Sequence, residues 1–191
     1  MNASETTLYT ISVFSENHVG LLSQLSNIFT RRCLNIESVS ASQCSIPGVH
    51  KITITTRTDR AMMDKVIRQI EKMIDVIRAF YYTDSEIVYQ EVALYKVPTA
   101  AMLRENHVEE IIRRHGARIL DITPEYTVIE KTGHYSETEN LFTELKRYDI
   151  KQFVRSGRVA GTRSTLEPVD MFLAERAEAC RKINNPSNDT D

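Results

Sequence analysis

Leu8-Tyr9-Thr10-Ile11-Ser12-Val13-Phe14, followed by Ser15-Glu16-Asn17-His18-Val19-Gly20-Leu21-Leu22, is the stretch on which the reading of the fold turns. Its first seven residues alternate. Tyr9, Ile11 and Val13 share one face and Thr10 and Ser12 the other, which is the period of a half-buried strand. A polar turn, Ser15 to Gly20, ends the strand. Leu21, Leu22, Leu25, Ile28 and Phe29 then recur at helical spacing, with Arg31-Arg32 placed favourably near the helix C-terminus. A strand that passes through a tight turn directly into an amphipathic helix is the opening of an α+β unit.

Working outward, Asn35 to Cys44 alternates again through Ile36, Val39 and Ala41 and predicts a second strand. Pro47-Gly48 marks a turn, and Val49 to Arg57 predicts a third strand with Ile52 and Ile54 on one face. Asp59 is a candidate cap for a second helix whose apolar stripe is Met62, Val66, Ile70 and Met73. Val76 to Tyr82 closes the unit as a fourth strand. The order βαββαβ over about 75 residues is the ferredoxin-like, split βαβ arrangement. Right-handed crossovers put both helices on one face of an antiparallel sheet, leaving the other face and an edge available to a neighbour.

The order then repeats. Ile87 to Val97, Arg118 to Ile122, Tyr126 to Lys131 and Ile150 to Arg155 predict strands; Met102 to His115 and Glu137 to Arg147 predict helices. The fold class expected is therefore α+β, two tandem ferredoxin-like domains over residues 8–83 and 84–163. Residues 1–7 are expected to be disordered. Residues 164–191 are expected to form a helical extension, from about Pro168 to Ile183 with proline in its first turn, and a disordered tail, Asn184 to Asp191.

Composition narrows the function. Twenty-four basic against twenty-six acidic residues give a formal charge of −2 with no run of one sign, which disfavours a nucleic-acid partner or a membrane surface. No secretion signal and no apolar run near the ~20 residues of a membrane span are visible. Three widely separated cysteines, Cys33, Cys44 and Cys180, read as reduced thiols of a cytoplasmic protein. The six glycines compose neither a dinucleotide-binding fingerprint nor a P-loop. The five histidines contain no i, i+3 or i, i+4 pair, so no metal site is expected. His107 and His115, eight apart, lie about 12 Å from one another along a helix axis. No Gly-x-Ser-x-Gly elbow occurs, and nothing marks Cys33 or Cys44 as a nucleophile. No catalytic residue is nominated.

The turn Glu16 to Gly20 is the candidate site. A helix start presents unpaired N–H groups and a positive dipole end, which suit a carboxylate. Gly20 lets the backbone approach a ligand closely, and Asn17 can orient a carboxylate or an ammonium group. Leu21, Leu22 and Ile36 can offer apolar contacts to a branched side chain. The same residues also read as a plain strand-to-helix turn, with Asn17 as a cap.

Beyond these readings, Ile11 to Leu22 resembles the opening of an ACT domain, the amino-acid-binding ferredoxin-like module, and more closely the small subunits of acetolactate synthase. That family has Glu-Asn-x-Pro-Gly-x-Leu in the loop and Asn-Ile-Glu-Ser in the next strand; here Asn35-Ile36-Glu37-Ser38 follows Arg31-Arg32-Cys33-Leu34. Asp121-Ile122-Thr123-Pro124, Tyr126-Thr127-Val128, Thr132-Gly133 and Arg155-Ser156-Gly157-Arg158-Val159-Ala160-Gly161-Thr162-Arg163 follow in family order. Val19 stands where proline is usual, His18 where an acidic or small residue is common, and Gln90-Glu91 where Arg-Glu is usual. The segment around Glu125 is about one residue short, and nothing after Thr165 matches.

The resemblance implies a homodimer joined through ACT domains, with valine held by Asn17, His18, Val19, Gly20, Leu21 and Leu22 of one chain, Ser23 supporting the loop, and Asn35 and Ile36 of the other chain closing the site. It further implies a non-catalytic regulatory subunit that activates a separate catalytic subunit and confers valine feedback inhibition in branched-chain amino-acid biosynthesis. Thiamine diphosphate, magnesium and usually a flavin (FAD) would belong to that catalytic subunit, with no cofactor in this chain. The alternative is a tandem-ACT amino-acid-sensing regulator of gene expression.

Overall fold

A computed structural model of the chain describes residues 6–104, 107–165, 169–174 and 178. The first unit runs β1 (Thr7–Glu16), α1 (Leu21–Thr30), β2 (Ser38–Gln43), β3 (Val49–Thr58), α2 (Arg60–Ile70) and β4 (Val76–Tyr82). Its strands pair antiparallel in the order β2-β3-β1-β4. Tyr9, Ile11 and Val13 of β1 are buried against Leu25, Ile28 and Phe29 of α1 and Met63, Val66 and Ile70 of α2. Full burial of each such side chain stabilises by about 1.5–3 kcal/mol, and this helix-facing layer is the first core.

Local chemistry sets the ends of both helices. Asp59 accepts the Met62 N–H at 2.8 Å and starts α2 at Arg60. Met63 rather than Met62 then faces the core, since 63-66-70 keeps the 3.6-residue period as well as the expected series. The α1 C-terminus is a Schellman motif. The Leu34 N–H donates to Phe29 O and the Cys33 N–H to Thr30 O, both at 3.0 Å, and Cys33 takes a left-handed φ of 53°. Leu34 packs back against the core, the hydrophobic contact usual for that motif.

β2 is shorter than expected and its apolar residues are not buried: Val39 and Ala41 are exposed, as is Ile36 ahead of the strand. The alternation is that of a strand, but β2 is the outermost one and the helices cover the sheet centre. Its free edge is open.

The second unit runs β5 (Ile87–Pro98), α3 (Thr99–Arg104), α4 (His107–Arg114), β6 (Arg118–Ile122), β7 (Tyr126–Gly133), α5 (Tyr135–Leu145), a 3-10 turn (Lys146–Tyr148) and β8 (Gln152–Arg155), with sheet order β6-β7-β5-β8. Tyr95, Val97, Val108, Ile111, Ile129 and Leu141 are at the centre of its core, and the Tyr95 hydroxyl donates to Thr138 O at 2.6 Å. α5 starts two residues before the expected Glu137, because Glu137 is the third helical residue of a capping box and its carboxylate accepts the His134 N–H at 2.7 Å.

One strand was not foreseen. β9 (Val159–Thr162) pairs with Ile87–Gln90 on the edge of β5 that β8 occupies further along. Between β8 and β9 the chain bulges at Ser156-Gly157-Arg158. Ser156 keeps the bulge on β5, with its N–H donating to Val92 O at 2.8 Å and its Oγ accepting the Val92 N–H at 2.9 Å. Gly157 touches the first unit: a Cβ there would lie 2.9 Å from the Val39 carbonyl oxygen. Arg158 is buried, donating to Asp84 Oδ1 at 2.7 Å, Thr10 Oγ1 at 3.1 Å and Glu91 Oε1 at 3.4 Å, over the ring of Tyr89.

The far face of the first sheet, expected to be open to a neighbour, is thus partly covered by this chain. Arg158 lies over Thr10, while Phe14 and Val49 pack with Val169 and Leu173 of a helical segment, 169–174. The remainder of the expected Pro168–Ile183 helix, the expected Asn184–Asp191 tail and residues 1–5 fall outside the described residues, save residue 178, which is helical. Among the described residues no helix is long and apolar enough to cross a membrane.

A candidate amino-acid site at the start of the first helix

β1 ends at Glu16, level with Val49 at the start of β3, and the loop to α1 passes over that end of the sheet. A cavity of about 280 Å³ lies beneath it. Asn17, His18, Gly20, Leu21, Leu22 and Ser23 line it from the loop and α1. Ala41 of β2 and His50 and Ile52 of β3 line it from the sheet.

Gly20 is the residue before α1 and has φ 89°, a left-handed conformation that opens the backbone at the cavity. No side chain caps α1, so Asn17 is not its cap. The first intrahelical bond is Gln24 N–H to Gly20 O at 3.0 Å. The N–H groups of Leu22 and Ser23 precede it, leaving two uncapped donors at the positive end of the helix dipole. Leu21 serves the core at 4% exposure, while Leu22 is half exposed at the rim.

Three nominated residues do not line the cavity in this chain. Val19 projects fully into solvent. Asn35 and Ile36 follow the far end of α1, are exposed, and do not line the cavity; the Asn35 carbonyl accepts the Thr56 hydroxyl at 2.7 Å. Ser23 lines the cavity itself, and its carbonyl accepts the Ser26 hydroxyl at 2.9 Å.

Sequence reasoning missed the anchor of the loop. His18 Nδ1 lies 2.7 Å from Asp75 Oδ1, and the Asp75 carbonyl accepts the Glu16 N–H at 3.0 Å. The hydrogen bond to Asp75, with its charge, raises the His18 imidazole above its ordinary pKa, and Glu16 at 3.7 Å adds a little. Asp75 is 57 residues away from His18 in sequence, and no local pattern relates them. Ala41, His50 and Ile52 were missed too. For these a signal existed, because in a ferredoxin-like unit the start of the third strand must lie beside the end of the first. Among the described residues no three metal-ligating side chains converge. Donors at a helix start, a small polar loop and an apolar floor of Ala41 and Ile52 suit a small carboxylate ligand.

Comparison with known proteins places the chain. The family model for the AHAS small subunit-like ACT domain matches residues 11–78, and that for the small subunit of acetolactate synthase matches residues 90–164. An acetolactate synthase small subunit of Bacillus subtilis is 32% identical over 150 residues, 78% of this chain and 87% of the relative. A probable acetolactate synthase small subunit of Methanothermobacter thermautotrophicus is 27% identical, covering 81% of this chain and 92% of the relative. The crystal structure of the Thermotoga maritima acetolactate synthase small subunit superposes with TM-score 0.75 at 24% identity, over 83% of this chain and 99% of that one, and shows the same fold. This chain belongs to the acetolactate synthase small-subunit family.

Proposed function

We propose that this chain is the non-catalytic regulatory subunit of an acetolactate synthase, binding a branched-chain amino acid, foremost valine, in the cavity at the start of α1. The observation that carries this reading is the pair of uncapped N–H donors of Leu22 and Ser23 above the apolar floor of Ala41 and Ile52. The donors match an α-carboxylate, and the floor matches a short branched side chain. Asn17 supplies the acceptor for the ammonium group.

The open edge of β2, with Ile36 and Val39 exposed, supports a homodimer in which two first sheets join and Asn35 and Ile36 of the second copy complete the site. The partner is the catalytic subunit, which carries thiamine diphosphate, magnesium and usually FAD; this chain binds none of them. Association stabilises the active arrangement of that subunit, and the amino acid favours a less active one. Its leverage is its difference in affinity for the two states, typically ~1–3 kcal/mol.

The test is acetolactate formation by the same organism's catalytic subunit, with and without this chain, across a valine titration. Stimulation that valine reverses is expected. Gly20→Asp, which places a carboxylate beside that of the ligand, should weaken inhibition at least tenfold and leave stimulation intact. Full inhibition of that variant would place the effector elsewhere. Absence of any stimulation, without association, would remove the regulatory-subunit reading.

A further inference from the structure

α1 begins at the amino-acid cavity, and its other end enters a second concavity. A groove of about 740 Å³ lies between α1 and α2, and five cations line it: Arg31, Arg32, Lys65, Arg68 and Lys72. No carboxylate lines it, and none of the five forms an ion pair with a carboxylate among the described residues. The acidic residues of α2 and the turn beyond it are turned away: Asp64 accepts the Tyr81 hydroxyl at 2.7 Å, and Glu71 pairs with Arg78 at 3.2 Å. Arg32 and Arg68 each donate an N–H to the carbonyl four residues earlier, at 3.3 and 3.1 Å, which holds both guanidinium groups at the helix surface. Five like charges gathered in one concavity, in a chain whose formal charge is −2, form a local positive patch to which an anionic face is complementary.

We propose that this groove is a docking surface for an acidic face of the catalytic subunit. The proposal rests on the regulatory-subunit reading and names the surface that the reading leaves open. Four of the five cations are exposed and only Arg32 is half-buried, so the groove has no desolvated donor of the kind that grips a small anion. Exposed cations on long stems suit a broad protein face, where complementary charge sets on-rate and register. The groove contains no aromatic side chain for base stacking. The far face of the first sheet is partly covered by the chain itself, and the β2 edge is taken by the proposed dimer, which leaves the helical face free. About 15 Å of α1 separates its two ends, so a shift of the helix start on amino-acid binding also moves Arg31 and Arg32.

The test uses the full chain and the purified catalytic subunit. Lys65→Glu/Arg68→Glu/Lys72→Glu reverses the exposed row along α2 and the turn after it, away from the amino-acid cavity and the β2 edge. The neutral variant Lys65→Gln/Arg68→Gln/Lys72→Gln guards against misfolding by excess charge. Association is followed by surface-immobilised kinetics from low to high salt, and amino-acid binding by calorimetry confirms that each variant folds. The expected result is a wild-type association rate that falls with salt, reduced at least tenfold in the charge-reversed variant and less in the neutral one, with amino-acid binding retained. Association of both variants at the wild-type rate would overturn the docking surface and leave the regulatory reading standing. Failure of the wild-type chain to associate at all, or its capture by duplex DNA instead, would overturn both.

Discussion

Arg158 shows how one side chain can join two domains. Its exposure is 4%, and it binds Thr10 of the first sheet together with Asp84 and Glu91 of the linker and β5. Arg158→Met keeps the volume but removes the nearer of the two cations on the buried Glu91 carboxylate, leaving only Arg155 at 3.8 Å, so chemical denaturation should show a loss of about 3 kcal/mol. Arg158→Lys should recover only part of it, because a single ammonium cannot span three acceptors and lie over Tyr89 as a guanidinium does. Gly157→Ala should cost about 1–3 kcal/mol in the same assay, since the new Cβ meets a backbone oxygen that cannot rotate away. A wild-type midpoint for either Arg158→Met or Gly157→Ala would mean the two units are not clasped there. At the loop, NMR titration should place the His18 pKa above the ordinary imidazole value, and Asp75→Asn should lower it. Because the folded-state pKa is raised, the stabilisation from this pair is fully present below the ordinary imidazole pKa. It is lost as pH rises through the raised value.

At the scale of elements, the two units end corresponding helices in the same way. After α4 the Ala117 N–H donates to Ile112 O and the Gly116 N–H to Arg113 O, the Schellman pattern found after α1, with Gly116 where α1 has Cys33. A left-handed residue with a Cβ costs about 1–2 kcal/mol, against which the extra chain entropy of glycine recovers roughly 0.5–1. Cys33→Gly should therefore raise the unfolding free energy by up to about 1 kcal/mol, and unchanged or lower stability would sink this account. Helix periodicity and the Asp59 cap were legible from residues a few positions apart. The burial of β2 was not, because alternation marks a strand without saying whether anything covers it. β9 escaped for a related reason: Val159-Ala160-Gly161-Thr162 is four residues long, and only the spare edge of the twelve-residue β5 makes it a strand.

For the whole molecule, the segment 169–174 is part of the first domain's packing although it follows the second in sequence. Val169 is 1% exposed against Phe14 and Val49. Val169→Asp, or truncation after Thr165, should uncover those side chains, lower the melting temperature by several degrees and increase aggregation in light scattering. Unchanged melting would show that the far face of the sheet needs no cover.

By itself the sequence determined the repeated βαββαβ order, the helix-facing core of each unit and the strand-to-helix loop that lines the cavity at the start of α1. These are written in periods of 2 and 3.6 and in turn residues, all of which act over a few positions. Only the tertiary structure decided which face of the first sheet is covered, what holds His18, why Arg155-Ser156-Gly157-Arg158 is a clasp, and that α1 and α2 bring five cations together. Each of those depends on contacts between residues distant in sequence, such as Arg158 with Thr10 and His18 with Asp75. Their geometry exists only after both sheets have formed and packed.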